Sequence, residues 1–575
     1  MNKKIEYSLD YHEKTKHSQF SVINSRHYLD WNNRPNPFKI YSNLTSHVLP
    51  TNFPIPSMNA IRAIKGEVNN QKKSTLLDPN DLGDDSNKAY ESIKLTDLSS
   101  ILFFTCGITR HVKYDSGSYY MRAASATGAL YPIEVYLVSN SMGDDKLDAG
   151  VYHFNPGEFS LVPIRRGDYR NILSSLAGNN MSISTSPVSL VFTSNEWRNS
   201  WKYQSRSYRH WFWDTGVIVA NLLAIGKSMD LDIRLTLGFI DDQVNNLLGL
   251  ETHKEASVLI ASLDNALSGG KTSVKFVQDN FFSQDKTVIE PLSHKIYPLS
   301  FKQTFYPDIW KTYDSSKLFS NKDVESWSKA HMINRIEKKQ GQKGNTQLNE
   351  FKRHYLTQDI MDDNHIPGIG KVILKRGSAR RFSNEPITLK ILSTILLNSS
   401  ESGGNIPMDY KPDNSGLIDF YVLVNSVEGL ESGAYYLDKD SKCLKFLRER
   451  PTKDFSGHLC LDQSLFANAS VVIFLMADLK LVLDTLGNRG YRAAQLESGI
   501  IAGKIYLLSY ACGIGASGST FYDDEVTDFF CPNDKEMATM IAIGVGVPPY
   551  KSKSGTILPV RLSKEKMIDR NLNIF

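Results

Sequence analysis

Apolar positions recur at helical spacing in LTDLSSILFF (95–104) and again in ITLKILSTILL (387–397), and each stretch predicts an amphipathic helix. A β-rich strand follows each: IEVYLVS (133–139) and IDFYVLVN (418–425). Next come short strands around a Gly-x-Tyr, GVYHF (150–154) and GAYYL (433–437), then VSLVFTS (188–194) and ASVVIFLMA (469–477). Long apolar helices are predicted over HWFWDTGVIVANLLAIGKSM (210–229) and AAQLESGIIAGKIYLLSYAC (493–512). Each series ends in a strand, ASVLIASL (256–263) or ATMIAIGVG (538–546).

The two series are copies of one unit. KLTDLSSIL (94–102) pairs with TLKILSTIL (388–396), and FIDD (239–242) with FYDD (521–524); the offset falls slowly from 294 to 282 along the chain. The Tyr-Arg pairs at 208 and 491 fit the same drift. Mixed helices and mainly antiparallel strands imply an α+β fold, and two such units in one chain imply an intrachain pseudo-dimer. The expected division is an N-terminal arm or docking region (1–90), a first domain (91–265), a linker or insert (266–368), a second domain (369–550) and a C-terminal tail (551–575). The arm, with DWNNRPNPFKIYSN and the acidic LDPNDLGDDSN, reads as surface structure wrapped on a domain. The polar stretch 337–354 reads as a loop or solvated helix.

With 575 residues, 41% hydrophobic and 22% charged, the chain has the composition of a multidomain globular protein. A net charge of +4 announces neither a nucleic-acid surface nor an anionic-membrane surface. Five cysteines without CxxC spacing suit reduced thiols and a cytoplasmic setting, the N-terminus lacks the apolar core of a signal peptide, and no segment reads as a membrane span. P-loop, GxGxxG, HExxH and zinc-type spacings are absent, so no metal site is expected.

MRAASATGALYPIEVYLVS (121–139), AGVYHF and KYQSRSYRHWFWDTG (202–216) resemble the SagB/ThcOx/McbC branch of the nitroreductase-like flavoproteins. YHEKTKHS and DWNNRPNPFKIY are similar to the N-terminal arm of that group. KRGSARRF (375–382) resembles the Arg-x-Ser-x-Arg segment that opens nitroreductases, and GIGASGSTFYDDEV (513–526) resembles their later glycine-rich flavin loop. The resemblance covers nearly the whole chain and implies two tandem nitroreductase-like domains with FMN held between them.

On that reading Arg376, Ser378 and Arg380 supply guanidinium forks and a hydroxyl for the phosphate, at alternating positions that an extended segment would aim one way. The first copy has Leu82, Asp84 and Ser86 there, beside Asp81 and Asp85, a run that repels phosphate. Conversely, the first copy keeps Ser125, Thr127, Gly128 and Pro132, small residues that allow backbone to approach a flavin edge. The second copy has Tyr410, Pro412, Asp413 and Leu417 there, and Thr485-Leu486 in place of Lys202-Tyr203. Each copy has kept what the other lost, which implies one composite site and a vestigial symmetry mate.

Lys202 and Tyr203 are the expected acid/base pair; in isolation they read as a snorkelling cation and a half-buried ring. Arg206 and Arg209 either favour a phenolate or serve as structural ion-pair partners, since Tyr-Arg recurs in the copy that lacks Lys-Tyr. Ser517 and Gly518 read as a helix C-cap and turn, a flavin contact, or both. Arg561 reads as a final phosphate contact or a surface arginine. Trp197, Trp201, Trp211 and Trp213 read as core and interface, one or two of them lining a substrate groove.

The resemblance implies an FMN-dependent dehydrogenase/oxidase that converts thiazoline or oxazoline rings to azoles in a modified peptide, beside a cyclodehydratase or other biosynthetic partner. Desaturation of a peptidyl or carrier-bound substrate and NAD(P)H-driven nitro reduction are the enzymatic alternatives. A flavin-free scaffold in a peptide-modifying complex is the non-enzymatic one.

Overall fold

The computed structural model describes residues 2–67, 93–114, 117–142, 147–265, 289–330, 352–357, 365–400, 406–410, 416–534 and 536–569. The acidic run at 81–86, most of the polar stretch 337–354, and Pro412 and Asp413 lie outside the described residues.

Each copy builds a seven-stranded antiparallel sheet, and the strand order is the same in both. In the first sheet the order is 47–48, 160–166, 150–155, 133–139, 188–195, 255–265, 231–236; in the second it is 353–355, 443–448, 433–438, 419–424, 471–478, 537–546, 515–519. The central strands Ile133–Ser139 and Val188–Asn195 are buried along their whole length. Cover on both faces explains why they read as continuous apolar runs rather than alternating ones.

The long helices Ser207–Ser228 and Arg489–Ala511 are almost wholly buried and pack on each other. Gly216 and Gly499, equivalent in the repeat, meet at the crossing. A Cβ on Gly216 would lie 2.5 Å from the Gly499 carbonyl carbon, and one on Gly499 would lie 2.7 Å from the Trp213 oxygen. Only glycine lets the two backbones approach so closely, and the contact marks the pseudo-twofold axis.

Reciprocal ion pairs lock the two halves. Asp523 of the second domain accepts from Arg206 Nη1 and Arg209 Nη1, each at 2.9 Å. Asp241 of the first accepts from Arg489 Nη1 and Arg492 Nη1, each at 2.7 Å. All six side chains are buried. Burial alone would raise both carboxyl pKa values, but the paired guanidiniums outweigh it and hold each below the usual range. The recurring Tyr-Arg is therefore an interface device, and Arg206 and Arg209 are committed to Asp523 rather than to a phenolate.

The N-terminal arm is more than wrapping. Its first helix, Glu6–Lys14, inserts Tyr11 between the equivalent rings of Tyr208 and Tyr491, edge-on at 5.5 and 5.8 Å. Lys39 is buried against Glu255 at 2.6 Å, while Phe38 and Ile40 pack with Leu562 and Met567 of the C-terminal tail. The arm fills a hollow that the two domains leave at their seam, which corrects the expectation of surface structure. In the insert, helices Pro307–Ser315 and Asn321–Ser328 bury Trp310 and Trp327.

Candidate functional site

Lys202 and Tyr203 end the helix Glu196–Tyr203, whose acidic first turn and basic last turn both suit its dipole. The next residue, Gln204, adopts φ 49°, ψ −142°, and its repeat equivalent Gly487 adopts φ 66°, ψ −164°. The copy that carries Lys-Tyr thus holds a side chain in a conformation its sibling gives to glycine, a local strain of the kind found at working sites.

Tyr203 lies against the turn Thr127–Ala129. A Cβ built on Gly128 (φ +63°) would stand 2.6 Å from the Tyr203 hydroxyl. Ala129 (φ 54°) and Tyr131 (φ 50°) are also left-handed, so the turn is tight and strained. Asp214, from the long helix, fastens it by accepting from Thr127 N at 2.9 Å and Thr127 Oγ1 at 2.7 Å. Burial pushes the Asp214 carboxyl up to about 7, against the pull of these hydrogen bonds. Asp214, Ser125, Tyr131, Pro132, Cys106 and Arg122 help to line a small recess of about 10 Å³ beside the turn.

The second domain reaches this place from the other side. Arg376 follows the helix Ile369–Lys375 and is buried; its Nε donates to the Ala123 carbonyl at 3.0 Å, two residues before Ser125. Arg110 crosses the opposite way, and its Nη2 donates to the carbonyls of Leu374 (3.0 Å) and Lys375 (2.8 Å). Ser378 Oγ lies 3.3 Å from the hydroxyl of Tyr506, which also accepts from Gly518 N at 2.6 Å. Arg380 is exposed, with its backbone N–H fixed to Tyr550 Oη at 2.8 Å.

Charge sets the character of this cleft. Burial, followed by the fields of Arg34 and Arg380, lowers the pKa of Lys202. Burial, followed by the Asp214 carboxylate, raises that of Tyr203. Arg376 and Arg110 are both lowered by burial; the other charges acting on them are tyrosines and, for Arg110, Arg376 itself, with no carboxylate among them. The donor set of Arg110, Arg376, Arg380 and Ser378, cationic and without a carboxylate ion-pair partner among the described residues, fits a phosphate-bearing flavin such as FMN.

Several sequence expectations need adjustment. Arg376, Ser378 and Arg380 do not all point one way: Arg376 braces the first domain, whereas Ser378 and Arg380 are exposed. Ser517 and Gly518 form neither helix cap nor turn but lie in the sheet-edge strand Gly515–Ser519; the helix ends at Cys512 and turns at Gly513 (φ 82°). Arg561 stands apart from the group, donating to the Leu49 carbonyl at 2.7 Å. Trp211 is core, Trp213 bonds Gln495 across the domain interface, and Trp197 and Trp201 cluster with Leu130, Leu299 and Tyr203. Arg34, Arg110, Asp214 and Tyr506 were missed, because each acts through a partner distant in the chain.

The symmetry-related cleft is built differently. Residues 406–410 lie along the edge strand Leu231–Thr236: Leu235 N donates to the Pro407 carbonyl at 2.8 Å, and Asp409 accepts from Leu237 N (2.9 Å) and Gly238 N (2.6 Å). Tyr410, the equivalent of Ser125, is buried against Trp327 and Glu497. An open pocket of about 170 Å³ remains beside this segment, but its lining sets Asp232, Asp264 and Asp409 against Arg234. A phosphate dianion is poorly matched to that balance.

Comparison with known proteins agrees with this architecture. Residues 89–263 and 373–546 each match the Nitroreductase family. A crystal structure from Anabaena variabilis, provisionally assigned as a nitroreductase, superposes over 94% of this chain and 99% of its own with a TM-score of 0.68 at 21% identity. The provisionally assigned nitroreductase MJ1384 of Methanocaldococcus jannaschii is 29% identical over 161 residues, 27% of this chain and 81% of that protein. The microcin B17-processing protein McbC of Escherichia coli is 29% identical over 136 residues, 23% of this chain and half of McbC. With two matches that together span more than half of its length, the chain belongs to the nitroreductase family and carries two copies of the family domain in tandem.

Proposed function

We propose that the chain is an FMN-dependent dehydrogenase that oxidises a thiazoline or oxazoline ring in a modified peptide to the azole. The observation that carries this reading is the pairing, in a cleft shared by both domains, of a lysine driven toward its neutral form with a tyrosine held as a phenol. McbC, a relative named for processing microcin B17, supports a peptide as substrate.

Arg376, Ser378 and Arg380 would hold the cofactor's phosphate side, beside the strand that carries Ser517 and Gly518, and Ser125, Thr127 and Gly128 would present small residues to its ring. Bound there, FMN would supply the two-electron acceptor for the hydride lost from the ring carbon, with an acceptor such as oxygen taking those electrons on. Lys202 Nζ takes the proton from the neighbouring ring atom, because burial, aided by Arg34 and Arg380, makes its neutral form more accessible. Tyr203 Oη stays protonated and donates a hydrogen bond that orients the substrate. Asp214 holds the Thr127–Ala129 turn so that Gly128 and Tyr203 keep their relative position. A partner enzyme of the cyclodehydratase class would supply the azoline.

Lys202→Ala and Tyr203→Phe proteins should remain yellow and lose most turnover of an azoline peptide. Full activity in either would remove that residue from the chemistry. Rapid flavin bleaching by NAD(P)H, with no azoline oxidation, would assign the site to a reductase instead.

A further inference from the structure

Large aromatic side chains gathered at a surface mark a place where something binds. Tyr28 is 82% exposed, Trp31 46%, Phe301 82% and Phe305 57%. They belong to two segments, residues 24–34 of the arm and 297–306 of the insert, which are fastened to each other. Asn33 Nδ2 donates to the Lys302 carbonyl (2.7 Å), Lys302 N donates back to Asn33 Oδ1 (3.0 Å), and Ser300 Oγ donates to the Asn33 carbonyl (2.8 Å).

Both segments are fastened in turn to the helix that ends in Lys202 and Tyr203. Trp197 Nε1 donates to Ser300 Oγ at 2.8 Å, Trp201 Nε1 to the Asp30 carbonyl at 3.1 Å, and His27 Nε2 to the Trp201 carbonyl at 2.9 Å. The Trp31 ring meets Trp201 edge-on at 5.3 Å. The exposed rings are therefore displayed on a fixed platform whose underside is the catalytic helix. Its charge is positive on balance: residues 24–34 and 297–306 carry Arg26, Arg34 and Lys302 against the carboxylate of Asp30.

We propose that this platform docks the substrate peptide through an extended segment in which apolar or aromatic side chains alternate with Asp or Glu. The rings receive the apolar side chains, and the surrounding cations receive the carboxylates. Continuity with the Glu196–Tyr203 helix then delivers the modified ring to Lys202. The inference rests on the peptide-oxidising reading, but binding can be measured without turnover.

The test is fluorescence anisotropy of the full FMN-loaded chain with a short fluorescein-labelled peptide of alternating Phe and Asp, compared with one of alternating Phe and Lys. The variant is Tyr28→Ser/Phe301→Ser/Phe305→Ser, whose exposed positions leave the core intact. The expected result is binding of the Phe/Asp peptide, weaker by roughly tenfold or more in the variant, with flavin content unchanged and no comparable binding of the Phe/Lys peptide. Equal affinity in the variant, or equal affinity for the Phe/Lys peptide, overturns the proposal. So does a fall in the sedimenting mass of the chain on substitution, which would make the patch a self-association face. Loss of ring oxidation in the Lys202 variants bears on the chemistry and leaves this binding result untouched.

Discussion

Tyr203 and Gly128 are built around each other: the phenol hydroxyl occupies the space that a Cβ on Gly128 would need, 2.6 Å away. Gly128→Ala therefore meets two costs, a left-handed φ and a displaced tyrosine. The expected loss is about 1–2 kcal/mol from the backbone, together with a large fall in turnover. A double-mutant cycle with Tyr203→Phe should show coupling, because removing the hydroxyl relieves part of the clash. Additive melting shifts would show that the two residues act independently.

Lys202 is the group whose titration should govern the rate. Its pKa is lowered by burial and by Arg34 and Arg380, and in the proposed mechanism its neutral form is the active one. Activity should rise with pH, about tenfold per unit, and level off below the usual lysine range. Arg380→Gln removes one lowering charge and should move this limb to higher pH. A limb that stays in place in that variant would detach the rate from Lys202.

Asp241 and Asp523 each neutralise two buried arginines of the other domain. Asp241→Asn or Asp523→Asn should cost about 3–5 kcal/mol, measured by denaturant unfolding. Their folded pKa values are depressed, so their stabilisation is present above the unfolded aspartate pKa of about 4 and is lost as pH falls below it. The double variant should show a shallower acid limb in its stability profile.

Gln204 holds a backbone conformation that its sibling assigns to Gly487. Gln204→Gly should stabilise the fold by about 1 kcal/mol or more by releasing strain. It should also lower turnover by loosening the end of the Lys202–Tyr203 helix. Unchanged turnover would make the strain incidental to the site.

The repeat was legible because buried strands and helices are long and their apolar runs continuous, as in Ile133–Ser139 and Leu95–Cys106. The strand Gly515–Ser519 was not, since its glycines and serines have low strand propensity and only the neighbouring edge of the sheet makes them extended. Asp241 and Asp523 were visible as matched positions, but their partners lie in the opposite copy and no local pattern could name them. The place of Tyr11 was hidden for the same reason: the hollow it fills exists only once both domains are folded. Lys202, Tyr203 and the Arg376–Arg380 segment stood out through the losses that set one copy against the other.

Flavin content per chain tests the composite cleft most directly. The cationic cleft holds the proposed phosphate donors and the Lys202–Tyr203 pair, while the opposite one is lined by residues 407–409 and by Asp232 and Asp264. Denatured, quantified holoprotein should release one FMN per chain, and an Arg376→Ala/Arg380→Ala variant should release almost none. Two FMN per chain, or one retained in that variant, would contradict the account.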